Sequence, residues 1–292
     1  NEMTELNRKV NRSIKIKKIR KINYICSDVN DFDFKDFIFK KKIIHILNFT
    51  AVKHVRTEEN DLSLKYMFKT NCINFLNFKY NKNLKTLFSI STDKVIKPKS
   101  MLGVSKRLME FNLGNIQKKN KSVNVCSVRF TNVAFSKGSI LKNIIDRLNN
   151  YEDVGIPKNV KRYFITHDEA VSLCLKSLIN ESKNSVVQPS NYLIKKPLDI
   201  RDLCLKIFKL SKIKFVNNGK KNVIKLLVQK NITQGQKKIE DLIEGREEYF
   251  SYHNDKTIIK SSIKTLPNIK NLIRKFQNGK NKKDFLFIGK KI

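Results

Sequence analysis

The chain has 292 residues, and 61 lysines and arginines against 26 acids give a formal net charge of +35. Hydrophobic residues make up 40% of it, enough to bury a core and to exclude disorder of the whole chain. No apolar run approaches the roughly 18 residues that span a bilayer, and no signal peptide opens the sequence. The five cysteines (Cys26, Cys72, Cys126, Cys174, Cys204) are odd in number, lack CxxC spacing and sit in apolar contexts. They read as reduced core residues, which excludes a disulfide scaffold.

The charge invites a nucleic-acid reading, because basic surfaces attract phosphate of any sequence. The excess, however, is 50 lysines against 11 arginines, spread from end to end. Base-reading surfaces favour arginine, whose planar fork bonds bidentately. Phe and Tyr follow core periodicities rather than forming stacking platforms. A lysine-coated globule with no specific nucleic-acid partner is the expectation. His45, His167 and His253 form no metal cluster, so no metal site is expected, and His54 reads as a structural histidine.

Strands are predicted at Ile22–Cys26, Ile43–Phe49, Thr86–Ser91 and Val123–Val133, with helices over Asp61–Phe78 and Leu102–Ile116 between them. This alternation predicts an α/β fold, a Rossmann-like doubly wound parallel sheet. Ligands of such sheets collect beyond the carboxyl ends of the strands. That points to Asn48–His54, Ser91–Lys94 and Arg129–Ser139. Further on, Thr166 and Glu169 form a capping box before a helix through Leu178. A strand over Val186–Ile194, a helix from Asp199 and a short amphipathic helix, Lys238–Ile243, follow. The expected organisation is a partial dinucleotide-binding domain over residues 1–140, an interleaved C-terminal α/β substrate lobe over 141–260, and a lysine-rich, poorly packed tail from 261 to 292.

The most informative segment is Ser91-Thr92-Asp93-Lys94, a polar cluster closing an apolar strand, with Lys106 near the start of the next helix. On residue types alone, an exposed turn and a functional site are equally compatible with it. Ser91–Glu110, STDKVIKPKSMLGVSKRLME, resembles the signature of the extended short-chain dehydrogenases that act on nucleotide sugars. It is similar in particular to their polysaccharide-biosynthesis branch, the NAD(P)-dependent UDP-N-acetylhexosamine 4,6-dehydratases and C5-epimerases. Collinear pieces extend the resemblance over residues 1–260. These are Ser27-Asp28-Val29 (GDV in the family), Thr50–Val55 (AALKHV), Lys69-Thr70-Asn71 (KTN), Val128–Val133 with Gly138-Ser139 (VRFGNV…GS), Arg162–Thr166 (RYFMT) and Gly235-Gln236-Lys237 (GEK).

The resemblance implies a nucleotide-sugar 4,6-dehydratase for surface-polysaccharide synthesis, using NAD or NADP on a UDP-sugar. Thr92 would bind the C4 oxygen, Asp93 would protonate the C6 hydroxyl and Lys94 would take the C5 proton. Lys106 would hold the nicotinamide ribose. Asp28, Val29, Ala51 and Lys53 would complete the cofactor site, and Asn132 and Arg162 the substrate site. It also implies a homo-oligomer in the cytoplasm, associated with a membrane only through a segment preceding Asn1. Three features depart from the pattern: Leu102 replaces a tyrosine or methionine, Asn48-Phe49 replaces His-Ala, and no glycine-rich dinucleotide fingerprint occurs among only nine glycines. The chain is therefore read as a fragment lacking the first strand, glycine loop, helix and second strand. An epimerase or reductase on the same scaffold is the alternative within the enzyme class. A degenerate binding protein or a basic nucleic-acid binder is the alternative outside it.

Overall fold

The computed structural model describes residues 22–28, 31–53, 60–73, 82–179, 184–194, 196–211, 224–229, 235–245, 248–252 and 255–278, with isolated positions 5, 8, 9, 12 and 58. Helix α1 (Phe32–Lys40) precedes β1 (His45–Asn48), and α2 (Asp61–Phe68) continues through a π turn, Lys69–Ile73. Strand β2 (Thr86–Thr92), helix α3 (Met101–Lys119) and strand β3 (Asn124–Phe130) form the centre of the molecule. After them come β4 (Asn132–Val133), α4 (Ile140–Asn149), β5 (Val154–Pro157), β6 (Lys161–Arg162), β7 (Phe164–Ile165), α5 (His167–Ile179) and β8 (Ser185–Pro189). The described chain closes with β9 (Leu198–Asp199), α6 (Ile200–Ser211), β10 (Leu226–Gln229), β11 (Tyr249–Tyr252), β12 (Asp255–Ser262) and α7 (Ile269–Asn278).

The main sheet has the order β1-β2-β3-β8-β12-β11. The first four strands are parallel, and β12 and β11 add antiparallel pairings at the far side. Strands β2 and β3 are buried along most of their length, as in a sheet covered on both faces, with Ser89 and Ser127 buried among their apolar residues. Leu64, Met67 and Phe68 of α2 and the apolar side of α3 pack on one face. Leu173 and Cys174 of α5 pack on the other, against Phe88, Cys126 and Val128. A third cluster joins α4 and α6 to β5, with Ile144, Ile156 and Phe208 at its centre.

Helix α3 is buried almost all round, so its polar residues need partners inside the protein. The Glu110 carboxylate accepts from Arg129 Nε (2.9 Å) and Nη2 (2.7 Å) and from the Ser91 hydroxyl (2.7 Å). Arg107 Nη1 lies 3.6 Å from the same carboxylate, and its Nη2 reaches Glu244 at 2.8 Å. At the far end of the helix, a side chain at Gly114 would meet the Lys264 carbonyl, and Asn115 Nδ2 donates to Leu266 O at 3.2 Å.

Several expectations are corrected. Residues 22–26 form no strand; Ile22, Ile25 and Cys26 are exposed, and none of the described strands pairs with them. The other four cysteines are buried. The run Val186–Ile194 is a strand only to Pro189, because Ser190 opens a turn and its hydroxyl accepts from Tyr192 N at 3.2 Å. Lys238–Ile243 contains no helix. Nor is the segment from Ser261 a loose tail as far as residue 278: Ser261 is buried in β12 and Ile269 joins the α2–α3 core. Residues 74–78 of the expected first long helix lie outside the described residues.

Removing one member of a buried charge cluster strands the others in a medium of low polarity. Glu110→Gln is expected to destabilise the fold by about 3–5 kcal/mol, measured as a lowered denaturant midpoint with an unchanged m-value.

Candidate active site

Strand β2 leaves the sheet at Thr92, whose extended backbone turns into a single 3₁₀ turn, Asp93–Val95. The Thr92 hydroxyl caps that turn by accepting from Lys94 N and donates to Asp93 Oδ1 at 3.0 Å. Asp93 Oδ1 also accepts from Lys94 Nζ at 3.0 Å, while Asp93 Oδ2 is buried with no hydrogen-bond partner. The Asp93 side chain is buried and that of Lys94 is 22% exposed, so the pair lies largely out of water. Gly103 makes this arrangement possible: a Cβ there would collide with the Lys94 carbonyl, so only glycine lets α3 start so close to the turn. The N-terminus of α3 is held by two side chains. Ser100 Oγ accepts from Gly103 N at 3.1 Å, and the buried Glu58 accepts from Leu102 N at 3.0 Å.

A cavity of about 750 Å³ opens over this turn. Thr92, Lys94 and Lys106 line it together with Ala51, Lys53, Asn132 and Arg162. Asp93 is not in the wall but directly behind Lys94. Leu102, also in the wall, is 6% exposed and offers no proton. Asn48 donates to Ser89 Oγ at 3.0 Å and turns its amide oxygen to Thr50 N at 3.0 Å, so it shapes the end of β1. Phe49 lines the cavity and packs tilted on Phe88, ring centres 5.4 Å apart.

The two lysines differ in surroundings. Lys106 is buried and donates to the Ile90 carbonyl at 3.1 Å; burial pulls its ammonium down to about 8. Lys94 has Asp93 in contact and Glu240 at 3.9 Å. Arg162 is buried, and its Nη1 and Nη2 bond the carbonyls of Lys161, Lys238 and Lys237 at 2.8, 3.1 and 3.0 Å. It thereby holds the 237–238 backbone against the cavity. Asn132 Nδ2 donates to Tyr163 O at 3.0 Å, and Lys53 Nζ to Lys137 O at 2.6 Å. Asp28 is exposed and lies away from the cavity, near Tyr66; Val29 and His54 lie outside the described residues. No group of metal-ligating side chains occurs among the described residues.

Sequence reasoning missed Glu58, Asn71, Lys237 and Glu240. Asn71 clamps the loop after β1 to α3, accepting from Val52 N at 2.9 Å and donating to Val52 O and Ser105 Oγ at 3.0 Å each. Its place in the Lys69-Thr70-Asn71 motif was the available signal. Lys237 donates to Ile96 O and Asp241 at 2.7 Å each, pinning the 235–245 segment over the turn.

Two outcomes follow. Gly103→Ala is expected to cost about 1–3 kcal/mol and to displace the Lys94 turn, seen as a lowered Tm and shifted amide resonances of residues 93–96. The Lys106 ammonium falls from an ordinary 10.5 to about 8 in the folded protein, so between these values the unfolded chain binds the extra proton. Stability from this group therefore rises with pH across that window, by at most about 1.4 kcal/mol per pH unit, and Lys106→Met removes this component of the pH slope in urea titrations.

The comparisons with known proteins agree with this architecture. The capsular polysaccharide biosynthesis protein CapD of Staphylococcus aureus is 28% identical over 162 residues, 54% of this chain. The chain spans 25% of the length of CapD. Among solved structures, Pen from Bacillus thuringiensis superposes with a TM-score of 0.70 at 18% identity, covering 89% of this chain and 78% of that one. DesIV, the dTDP-glucose 4,6-dehydratase of Streptomyces venezuelae solved with NAD and TYD bound, superposes with a TM-score of 0.63 at 12% identity, covering 80% and 74%. These likenesses establish the Rossmann-type fold. The profile of one family, described as polysaccharide biosynthesis protein, matches residues 1–262, and the chain belongs to that family.

Proposed function

We propose that this chain carries the reaction centre of an NAD(P)-dependent nucleotide-sugar 4,6-dehydratase acting on a UDP-N-acetylhexosamine. The observation that carries the reading is the Thr92-Asp93-Lys94 turn, with a carboxylate and an amine in contact beside a cavity. Membership in a polysaccharide biosynthesis family and a fold shared with a 4,6-dehydratase that binds NAD support it.

The residues present fit the nicotinamide-ribose end of such a cofactor. Lys106, Ala51 and Lys53 line the same cavity as Thr92. When bound, the cofactor takes a hydride from the sugar and returns it. Every other step falls to side chains. Thr92 holds the C4 oxygen; with Leu102 unable to accept a proton, the C4 hydroxyl proton passes to water in the cavity, a loss favoured by the positive potential of Lys106. Oxidation at C4 makes the C5 proton acidic, and Lys94 removes it while Asp93 supplies the proton on which the C6 hydroxyl leaves as water.

The contact between Asp93 and Lys94 suits this division of labour. Moving one proton from Lys94 Nζ to the Asp93 carboxylate converts the ion pair into a neutral amine and a carboxylic acid, the states that elimination needs. A substrate that displaces water from the cavity favours the neutral pair. After elimination the amine holds a proton and the acid has lost one; when hydride returns to C6, Lys94 gives that proton back to C5, and the proton released from the C4 hydroxyl restores the original ion pair.

In the full-length protein supplied with NAD and UDP-N-acetylglucosamine, the expected product is a 4-keto-6-deoxy sugar, detected by mass spectrometry. Asp93→Asn and Lys94→Ala should each lower its formation by about 10²-fold or more. Full activity in both variants would overturn the assignment.

A further inference from the structure

The proposed chemistry uses Asp93 and Lys94 but leaves a third charged group at the same place unexplained. Glu240 lies in the wall of the cavity, with its side chain 4% exposed. It belongs to the irregular 235–245 segment, far from the turn in sequence. Its carboxylate stands 3.9 Å from Lys94 Nζ, 3.9 Å from Arg162 Nη2 and 4.0 Å from Lys237 Nζ. These separations are at the limit of an ion pair. A buried carboxylate set between three cations at that range acts on them through its charge rather than through a fixed short hydrogen bond.

Of the three cations, two are already spent. Arg162 is committed to the carbonyls of residues 161, 237 and 238, and Lys237 to Ile96 O and Asp241. Lys94 is the one whose remaining surroundings are the cavity, with Asp93 as its hydrogen-bonded partner. We propose that Glu240 is a positioning residue for Lys94, holding its amine at the cavity wall and keeping the proton of the Asp93–Lys94 pair on the lysine until substrate arrives. This rests on the assignment of Lys94 as the base and extends it to the group that sets when the base is ready.

The charged groups facing this point are Asp93 and Lys94 from the turn, Arg162 from β6, and Lys237 from Glu240's own segment. Burial raises the Glu240 carboxyl above its ordinary range, Lys94, Arg162 and Lys237 oppose that rise, and Asp93 adds to it. With Glu240 ionised, the lysine proton is held by two carboxylates; with its charge removed, by one. Loss of the charge therefore lowers the pH at which Lys94 becomes a free amine.

The test uses the chain itself and needs no turnover. Acetic anhydride labelling across pH 6–11, read by mass spectrometry on the peptide carrying Lys94, reports the fraction of free amine. Glu240→Gln is expected to raise the Lys94 acetylation rate about tenfold at pH 8, a shift of about one unit in the titration midpoint. Surface lysines in the same sample should keep their profiles. Glu240→Asp, which draws the charge back by one methylene, should give a smaller shift in the same direction, and it serves where the Gln variant loses the fold. Unchanged Lys94 profiles in the folded variants would overturn the proposal, even with a lower Tm. The dehydratase reading would survive that result, because it stands or falls on product formation in Asp93→Asn and Lys94→Ala.

Discussion

A carboxylate enclosed by protein has to be compensated where it stands, and Glu110 meets that requirement with three elements at once. Arg129 from β3, Ser91 from β2 and Arg107 from its own helix all turn toward it. A slip of α3 by one residue would therefore draw Glu110 away from Arg129 and Arg107 away from Glu244. Ser91 immediately precedes Thr92, so the same interaction fixes where β2 ends. Arg107 carries the chain of charges on to Glu244, which anchors the segment that bears Lys237 and Glu240. The two sides of the cavity are thus referred to one buried acid.

Within that frame, two lysines of identical covalent structure are given different chemistry. Lys106 has a backbone carbonyl for a partner and little water, which disfavours its charge. Lys94 instead has a carboxylate in hydrogen-bonding contact. A cation that can lose its proton near neutral pH and a lysine in contact with a carboxylate thus line the same cavity. Lysine suits such tuning better than arginine, whose charge persists in almost any surroundings.

How much of this was legible in the sequence depended on the range of the forces involved. Strands β2 and β3 and helix α3 were readable because their apolar periodicity is local, and the capping box held: Thr166 N donates to Glu169 Oε2 at 2.6 Å and Glu169 N to Thr166 Oγ1 at 3.2 Å. The Thr92-Asp93-Lys94 turn was readable as polar residues ending an apolar run. Lys238–Ile243 was misread because its spacing is helical, whereas its carbonyls are claimed from a distance. Lys161 N and Arg162 Nη1 both donate to Lys238 O, and Gln188 to Leu242 O, which draws the backbone out of any helix. Glu58 and Glu240 carry no local mark of their roles, since Glu58 meets Leu102 across 44 residues of chain and Glu240 meets Lys94 and Arg162 across still more.

Gly114 has a consequence for the order of events in folding. By dispensing with a side chain there, α3 accepts the backbone of residues 263–266 against its surface, while Glu58 caps its opposite end. The central helix is thus completed by partners from nearly the whole length of the chain. Long-range closure of this kind slows folding, because loops must be ordered before their contacts repay the entropy. During synthesis α3 gains its last partners only after residue 266 has left the ribosome, and until then the helix is open on one side.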